Sequence, residues 1–488
     1  MKRIIWVLAI MMMVGMFSGV LASCDGDIPN ETELNTMDET STIIEDIEET
    51  DSERVTEMAT DEEDERVTRE ENDNQFGEDI LPGTEPPTEE TDDNTDAPPI
   101  KDQLGLNIKD EDMIEAMQNI FGGTTSVKET VMFLDKGDVK SLLYPIKSIV
   151  SVTSYDGKKV YEEGKDYVVE DGKLKITADS SIKCITSDKY YNHAGSIIQM
   201  NGKPMFWGES QVKQWQVSVT YEHDTAWEGY VQENQLEIYQ NFVKKLIAGE
   251  DVTVFFYGDS ITWGACSTYA EGVQPKQGAY AMLFTEALAD LFGYKVKYIN
   301  TGLQAAMPCH PVPTAEYGTG DRGTITYVNT AIGGWNSNDG VTNFDKFVKQ
   351  QVEKHGCDLF VIGYGMNDGG MAVTQTKANI KKMIDAMYEI KPEVSVMIVS
   401  TMTPHTGSNW DHAPIQQQER QLESLAKQLR KDDKAVAVAC VHSVSVAIQE
   451  HKTFNDYSGN NINHPNDWFY RVYAQTLLQT LIGYENMN

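Results

Sequence analysis

Four short motifs in the second half of the chain carry side chains that could cleave an ester. Ser260, in Gly258-Asp-Ser-Ile-Thr262, follows an apolar run and can act as a nucleophile or simply cap the next helix. Asn367 can donate to an oxyanion or close an Asx turn. Gly334 permits close backbone approach to a ligand, and His464, in a proline-bounded loop, can act as a general base. Together they offer the parts of an acyl-transfer site.

Alternating apolar runs and amphipathic stretches place these motifs on a sheet. The predicted strands are 252–257, 358–363, 394–399 and 435–439, and the predicted helices are 234–247, 279–292, 374–390, 416–430 and an amphipathic helix after His464. Short, fully apolar strands separated by helices indicate a parallel sheet covered on both faces. Ligands bind beyond the carboxyl ends of such strands, where the motifs fall.

The four motifs, in this order on alternating strands, resemble the SGNH/GDSL hydrolase superfamily over about residues 234–484. The resemblance implies an α/β fold, a three-layer α/β/α flavodoxin-like domain with a parallel sheet. It also implies that Ser260 is the nucleophile and His464 the base. The backbone N–H groups of Ser260 and Gly334 and the side chain of Asn367 would form the oxyanion hole.

One position departs from the superfamily pattern. Where an Asp three residues before the His is usual, the chain has Asn461. An amide can fix the imidazole tautomer, but it cannot stabilise the imidazolium by charge. We therefore expect a Ser260–His464 dyad oriented by Asn461, by a backbone carbonyl or by Asp467, with reduced or lost activity as the competing expectation.

Long irregular segments above the sheet predict where substrate would bind. Residues 302–324 are rich in Gly, Pro and polar residues, and such loops commonly build substrate pockets. Trp335 and Trp410 are predicted to wall this pocket, together with His405. No metal site and no cofactor are predicted, because zinc needs three or four ligands at recognisable spacings.

Residues 111–230 have a different pattern. Short runs rich in Val, Ile, Thr and Tyr alternate with Asp-Gly turn signals at 156–157 and 171–172. This pattern predicts hairpins and an all-β sandwich, jelly-roll-like accessory domain before a hydrolase domain at 231–488.

The chain begins with a predicted leader. Lys2 and Arg3 precede an apolar run that ends in Leu21-Ala-Ser-Cys24, which resembles a bacterial lipobox with Cys24 as the lipidated residue of a membrane-anchored protein on the outer face. The alternative is an uncleaved transmembrane anchor. We predict a lipoprotein signal peptide at 1–23.

The next segment, 24–110, is predicted to be a disordered acidic linker. Residues 25–100 contain 29 acidic side chains against three arginines, out of a net charge of −36 for the chain. Such a segment cannot bury enough apolar surface to fold. The rest is only mildly acidic and lacks the basic footprint that nucleic acid binding needs, so no nucleic acid partner is expected. Five further cysteines lack a CxxC pair and favour free thiols, with one disulfide left open.

Three functional hypotheses follow. The first is a serine esterase, similar to carbohydrate acetylesterases, that removes O-acyl and chiefly O-acetyl groups from an acylated carbohydrate outside the cell, or from another small ester. The second is a lipase, lysophospholipase or thioesterase with the same machinery. The third is a catalytically impaired surface protein that binds glycans.

Overall fold

The computed structural model describes residue 117 and residues 119–194, 196, 198–200, 202–208, 211–303 and 312–483. They belong to one compact unit. The predicted leader, the lipidation site Cys24 and the acidic linker lie outside the described residues, so these stay predictions. Within the described ranges, no helix is long and apolar enough to cross a membrane.

The N-terminal part, meaning the described residues up to 230, consists of short antiparallel sheets. Its elements are β1 (Thr125–Met132), β2 (Val139–Lys140), β3 (Ser148–Ser154), β4 (Tyr167–Glu170), β5 (Lys173–Ile176), α1 (Ser187–Tyr191), β6 (Gln199–Met200), β7 (Lys203–Pro204) and β8 (Gln216–Glu222). β8 pairs with β1 and β3, β5 with β2 and β4, and β6 with β7. Between β4 and β5, Asp171 and Gly172 have φ of 49° and 72°, as a hairpin turn of the Asp-Gly type requires. Stacking of these sheets as a jelly-roll sandwich stays a prediction.

The C-terminal part, residues 231–483, alternates strands and helices. Its elements are α2 (Gln240–Ala248), β9 (Val252–Gly258), α3 (Ser260–Trp263), α4 (Tyr280–Phe292), β10 (Lys295–Ile299), β11 (Thr324–Asn329), α5 (Ser337–Phe344), α6 (Gln350–His355), β12 (Leu359–Gly363), α7 (Val373–Ile390), β13 (Ser395–Val399), α8 (Ala413–Arg430), β14 (Val436–Ala439), α9 (Val441–Gln449), α10 (Phe454–Tyr457) and α11 (Asp467–Leu481). The boundary between the two parts stays a prediction.

Six of these strands form one parallel sheet in the order β10-β11-β9-β12-β13-β14. The chain leaves β9 towards one side of the sheet and later fills the other side from β12 onwards. The carboxyl end of β9 is therefore a topological switch point, where open α/β sheets bind ligands.

Alternate residues of β9 enter two different cores. Val254 and Phe256 belong to one buried hydrophobic cluster, and Phe255 and Tyr257 belong to the other. Because successive side chains of a strand point to opposite faces, helices cover the sheet on both sides. The predicted three-layer α/β/α fold is confirmed.

Three details differ from the sequence prediction. β10 and β11 were not predicted; β10 is an edge strand whose exposed Lys295 and Lys297 interrupt the apolar run. The helix predicted at 234–247 begins only at Gln240, since Leu236 and Ile238 lie in turns that precede it.

The third difference concerns α11, which was predicted to be amphipathic. Every residue from 468 to 481 is buried, because the N-terminal part covers the polar face. Arg471 donates to the backbone oxygens of Val127 and Lys128 at 2.9 and 2.6 Å, and Gln475 accepts from a backbone N–H of the same part. Arg471 and Gln475 are thus contacts between the two parts of the molecule.

Candidate active site

Ser260 lies on a tight turn at the carboxyl end of β9. A Cβ added to Gly258 would lie 2.3 Å from the carbonyl oxygen of Gly363, so only glycine fits where β9 meets β12. The Asp259 side chain then accepts from the N–H of Ile261 at 2.9 Å and caps α3. This turn fixes Ser260 at the edge of the sheet.

The structure brings Ser260 and His464 together across 204 residues of sequence. The Ser260 Oγ lies 2.9 Å from the His464 Nε2, and the two residues are 6% and 8% exposed. The histidine sits in a loop that folds back on itself between α10 and α11. The N–H of Gly459 donates to the carbonyl of His464 at 2.8 Å, and the N–H of Asn466 donates to that of Tyr457 at 2.9 Å.

Asn460, which the sequence analysis did not single out, organises this loop. Its Oδ1 accepts from the backbone N–H groups of Ile462, Asn463 and His464 at 2.9, 3.0 and 3.1 Å. These three bonds fix which end of the amide is the oxygen. The Nδ2 therefore faces the Nδ1 of His464, at 3.1 Å. Only its place four residues before the histidine could have indicated it.

The predicted orienting roles of Asn461 and Asp467 are wrong. Asn461 has a φ of 65°, which turns its side chain towards the N-terminal part, where its Nδ2 donates to the carbonyl of Phe206 at 3.2 Å. Asp467 accepts from the N–H and hydroxyl of Thr268 at 2.8 and 2.7 Å. Among the described residues, neither side chain hydrogen-bonds His464.

The predicted oxyanion-hole groups follow neighbouring strands of the sheet. Gly334 is exposed, with a φ of 78°. The Asn367 Nδ2 donates to the carbonyl of Trp335 at 3.0 Å and has a second hydrogen for a ligand. Asp368 accepts from the N–H of Ser337 at 2.8 Å and so ties the two loops together. Their role as oxyanion donors stays a prediction.

The two predicted pocket tryptophans are half-buried. The Trp335 ring packs edge-on against Tyr257 and Phe347, with centroids 6.5 and 4.7 Å apart. Trp410 packs against two buried hydrophobic clusters, one that spans both parts and one formed mostly by the N-terminal part. Each therefore combines a packed face with partial exposure, and their role as pocket walls stays a prediction.

His405 supports the histidine loop. Its Nδ1 lies 2.7 Å from the carbonyl of Asn461, and its ring stacks on Phe454 with centroids 4.7 Å apart. Because a carbonyl only accepts, the Nδ1 carries the proton. Burial lowers the pKa of His405, so the ring is neutral at pH 7. This side chain helps to place the backbone next to His464.

A cavity of about 440 Å³ lies away from the serine. It is lined by Tyr269, Tyr298 and Glu286 among others, and by Pro313, Ala315, Glu316 and Tyr317 from the segment 302–324 that was predicted to build a substrate pocket. Ser260 and the three predicted pocket side chains Trp335, Trp410 and His405 do not line it. No group of three or more metal-ligating side chains occurs within the described ranges.

Burial of Asp259 makes stability depend on pH. Burial raises the pKa of this carboxyl to about 7, against the opposing effect of the N–H of Ile261 and the charge of His464. The native state therefore keeps a proton that the unfolded chain releases above about pH 4, and stability falls as pH rises from about 4 to 7. We expect Asp259→Asn, which cannot ionise, to be more stable than the natural chain at pH 8 by about 2–3 kcal/mol, and the gain to vanish near pH 4.

Denaturant unfolding at several pH values measures this difference. Asp385→Asn is the control with the opposite sign, because Lys381 and Lys434 outweigh partial burial and lower the pKa of Asp385. That variant should lose stability at pH 8. If the free energy of unfolding depended on pH equally in the natural chain and in Asp259→Asn, a raised pKa of Asp259 in the native state would be contradicted.

The C-terminal part combines a three-layer α/β/α fold with a serine and a histidine in contact at the switch point of its sheet. Residues 256–472 match the GDSL-like Lipase/Acylhydrolase family, so the C-terminal part contains a domain similar to these acylhydrolases. No curated protein is detectably similar to the chain.

Solved structures give further matches. One is a two-domain esterase active on acetylated mannans, co-crystallized with mannopentaose, at 16% identity and a TM-score of 0.36; the match covers 52% of this chain and 55% of that one. An acetylxylan esterase from Geobacillus stearothermophilus matches at 16% identity and a TM-score of 0.32, covering 49% and 96%. A lipase/acylhydrolase from Enterococcus faecalis matches at 17% identity and a TM-score of 0.31, covering 48% and 96%.

Proposed function

We propose that this protein is a serine esterase that removes O-acyl groups, chiefly O-acetyl groups, from a polysaccharide outside the cell. One observation carries the proposal: the Ser260 Oγ lies 2.9 Å from the His464 Nε2 at the switch point of the sheet. A hydroxyl within hydrogen-bond reach of an imidazole is the arrangement that activates a serine nucleophile.

The proposed mechanism is acyl transfer. The Ser260 oxygen bonds to the ester carbonyl carbon while its proton passes to the His464 Nε2. The backbone N–H groups of Ser260 and Gly334 and the Asn367 amide stabilise the oxyanion, and one such donor is worth about 10²–10³ in turnover. The ester C–O bond then breaks, the Nε2 proton goes to the leaving alcohol, and water releases the acid by the same route.

The substrate class rests on the surroundings of the serine and on the N-terminus. Gly334 is exposed and Asn367 and Trp335 are half-buried, so a polymer chain has access to this edge of the sheet. The leader, Cys24 and the acidic linker would hold the enzyme outside the membrane, next to such polymers. A lipase or thioesterase with the same machinery would instead prefer long acyl chains.

A second candidate function is a glycan-binding protein with impaired catalysis. The amide nitrogen of Asn460, 3.1 Å from the Nδ1 of His464, favours it. An amide N–H can only donate, so it stabilises the tautomer whose Nε2 already holds a proton. That tautomer cannot accept the Ser260 proton.

Covalent labelling and acetate release distinguish these functions. The full chain is treated with a fluorophosphonate and assayed on p-nitrophenyl acetate, p-nitrophenyl palmitate, acetylated xylan and acetylated mannan, with Ser260→Ala as the control. We expect stoichiometric labelling at Ser260 and acetate release from a polysaccharide, both lost in the variant. Preference for palmitate would support a lipase, and folded protein without labelling would support the binding function.

A further inference from the structure

The Nδ1 side of His464 has two described neighbours of different chemistry. The Asn460 Nδ2 lies 3.1 Å from the Nδ1, and the Cys266 Sγ lies 3.6 Å from it. The amide nitrogen can only donate, whereas a sulfur can also accept. The amide therefore favours an unprotonated Nδ1, and the sulfur favours a protonated one.

Backbone contacts fix the position of the sulfur. Cys266 is 2% exposed and has a φ of 66°, in the loop that follows the Ser260 helix. Tyr470 donates to the preceding carbonyl, that of Ala265, at 2.6 Å. From the histidine loop, a Cβ added to Gly459 would lie 2.4 Å from the Cys266 Cβ and 3.2 Å from the Sγ. Glycine at that position lets the loop approach the cysteine.

A buried cation accompanies the sulfur. Lys213, from the N-terminal part, is 2% exposed, and its Nζ lies 2.6 Å from Glu271 Oε2. Burial lowers the pKa of Lys213, but negative charge on Glu271, Cys266 and Asp467 outweighs it and leaves the pKa raised. The charge of Lys213 therefore acts on the surroundings of Cys266 from the N-terminal part.

We infer that Cys266 is a positioning residue for His464, whose sulfur accepts the Nδ1 proton and holds the imidazole with its Nε2 lone pair towards Ser260. The inference rests on the proposed function and names the group that replaces the missing Asp. No bond forms at the sulfur. The Ser260 proton passes to the Nε2, the Nδ1 proton stays shared with the sulfur, and the positive ring is stabilised through it. The sulfur stabilises the tautomer protonated on the Nδ1, and the amide stabilises the tautomer protonated on the Nε2. Their competition sets the fraction of molecules whose Nε2 can accept the Ser260 proton, and kcat scales with that fraction.

Imidazole ¹⁵N NMR tests the tautomer without relying on activity. In the histidine-labelled full chain, with His464→Gln used to assign the signal, we expect a protonated Nδ1 near pH 8. In Cys266→Ala the proton should move to the Nε2, while Cys266→Ser should keep part of the Nδ1 form. Cys357→Ala, at another buried cysteine, is the matched control and should change nothing. A natural chain protonated on the Nε2, or a signal indifferent to Cys266→Ala, would overturn the inference.

Steady-state kinetics on p-nitrophenyl acetate give the second measurement. Cys266→Ala should lower kcat by about 10- to 100-fold at unchanged KM, and should move the acidic limb of kcat/KM to lower pH, since the imidazolium loses an acceptor. Besides His464, the groups that titrate or carry charge around the pair are Asp259, Lys213, Glu271, Asp467 and Tyr470. If Cys266→Ala changed KM and left the acidic limb of the kcat/KM profile in place, the role of Cys266 would be merely structural.

The two measurements separate this inference from the proposed function. One outcome is an Nδ1 proton that depends on Cys266 in a chain that fluorophosphonate does not label. That outcome would support the inference about Cys266 and contradict the proposed esterase activity. The opposite outcome is an active, labelled chain in which Cys266→Ala changes neither the His464 tautomer nor kcat. That outcome would support the esterase activity and contradict the inference about Cys266.

Discussion

Replacing Asn460 by aspartate is expected to raise kcat on p-nitrophenyl acetate by about 10²-fold, since the charge and tautomer control supplied by a triad carboxylate are worth up to about 10⁴. The change puts an oxygen where the Nδ2 now lies, 3.1 Å from the Nδ1 of His464. The other oxygen would keep its three backbone N–H donors, and such bonds hold a carboxylate ionised. Asn463, whose Oδ1 is 3.1 Å from the same Nδ2, has to turn its amide to donate.

Asn461→Asp is the matched control, because it restores aspartate at the position usual in the superfamily. The Asn461 side chain points to the carbonyl of Phe206 instead of His464. We expect no gain in kcat and a loss of about 1–3 kcal/mol in the free energy of unfolding, since a buried donor is removed and a carboxylate faces a carbonyl. A larger rate gain for Asn461→Asp than for Asn460→Asp would show that the loop rearranges. Equal rates for the natural chain and Asn460→Asp would show that a carboxylate at this position adds neither charge stabilisation nor tautomer control.

Glu129→Ala is expected to lower the free energy of unfolding by about 3–5 kcal/mol, the cost of leaving a buried charge unpaired. Glu129 and Lys452 are both fully buried, and their Oε1 and Nζ atoms lie 2.5 Å apart. The carboxylate also accepts from the N–H of Leu143 at 2.8 Å and from the hydroxyl of Tyr221 at 2.7 Å. This group joins β1 and β8 to the segment that leads into the histidine loop.

Urea unfolding of the full chain measures this effect. Glu170→Ala is the control, because its ion pair with Lys175 is solvent-exposed and worth about 0–1 kcal/mol. The Glu129 variant should unfold at a clearly lower urea concentration than the control variant. Similar midpoints for the two variants would mean that the buried charges are compensated by water or by rearrangement.

The sequence predicted the parallel sheet because its strands are buried on both faces. The strands Val252–Gly258 and Leu359–Gly363 are buried at every position and consist largely of apolar residues, without the alternation of apolar and polar residues that a half-exposed strand shows. β10 was not predicted because it is an edge strand with one exposed face. Its exposed lysines interrupt the apolar pattern by which the other strands were predicted. The amphipathic interpretation of α11 failed because local periodicity does not reveal that a second part of the chain covers the polar face.

For the candidate site, the sequence determined which residues could supply a nucleophile and a base. Ser260 and His464 were identified because their motifs, in order with those of Gly334 and Asn367, resemble the SGNH/GDSL hydrolase superfamily. A Gly-flanked turn and a proline-bounded loop also restrict the local backbone geometry at these two positions. What faces the second nitrogen of His464 was decided only by tertiary structure. The positive φ at Asn461 removes the expected partner. Asn460 replaces it from the same loop, and Cys266 replaces it from a loop that is distant in sequence. Contacts between such loops depend on the packing of the whole sheet and its covering layers, which no local pattern of residues encodes.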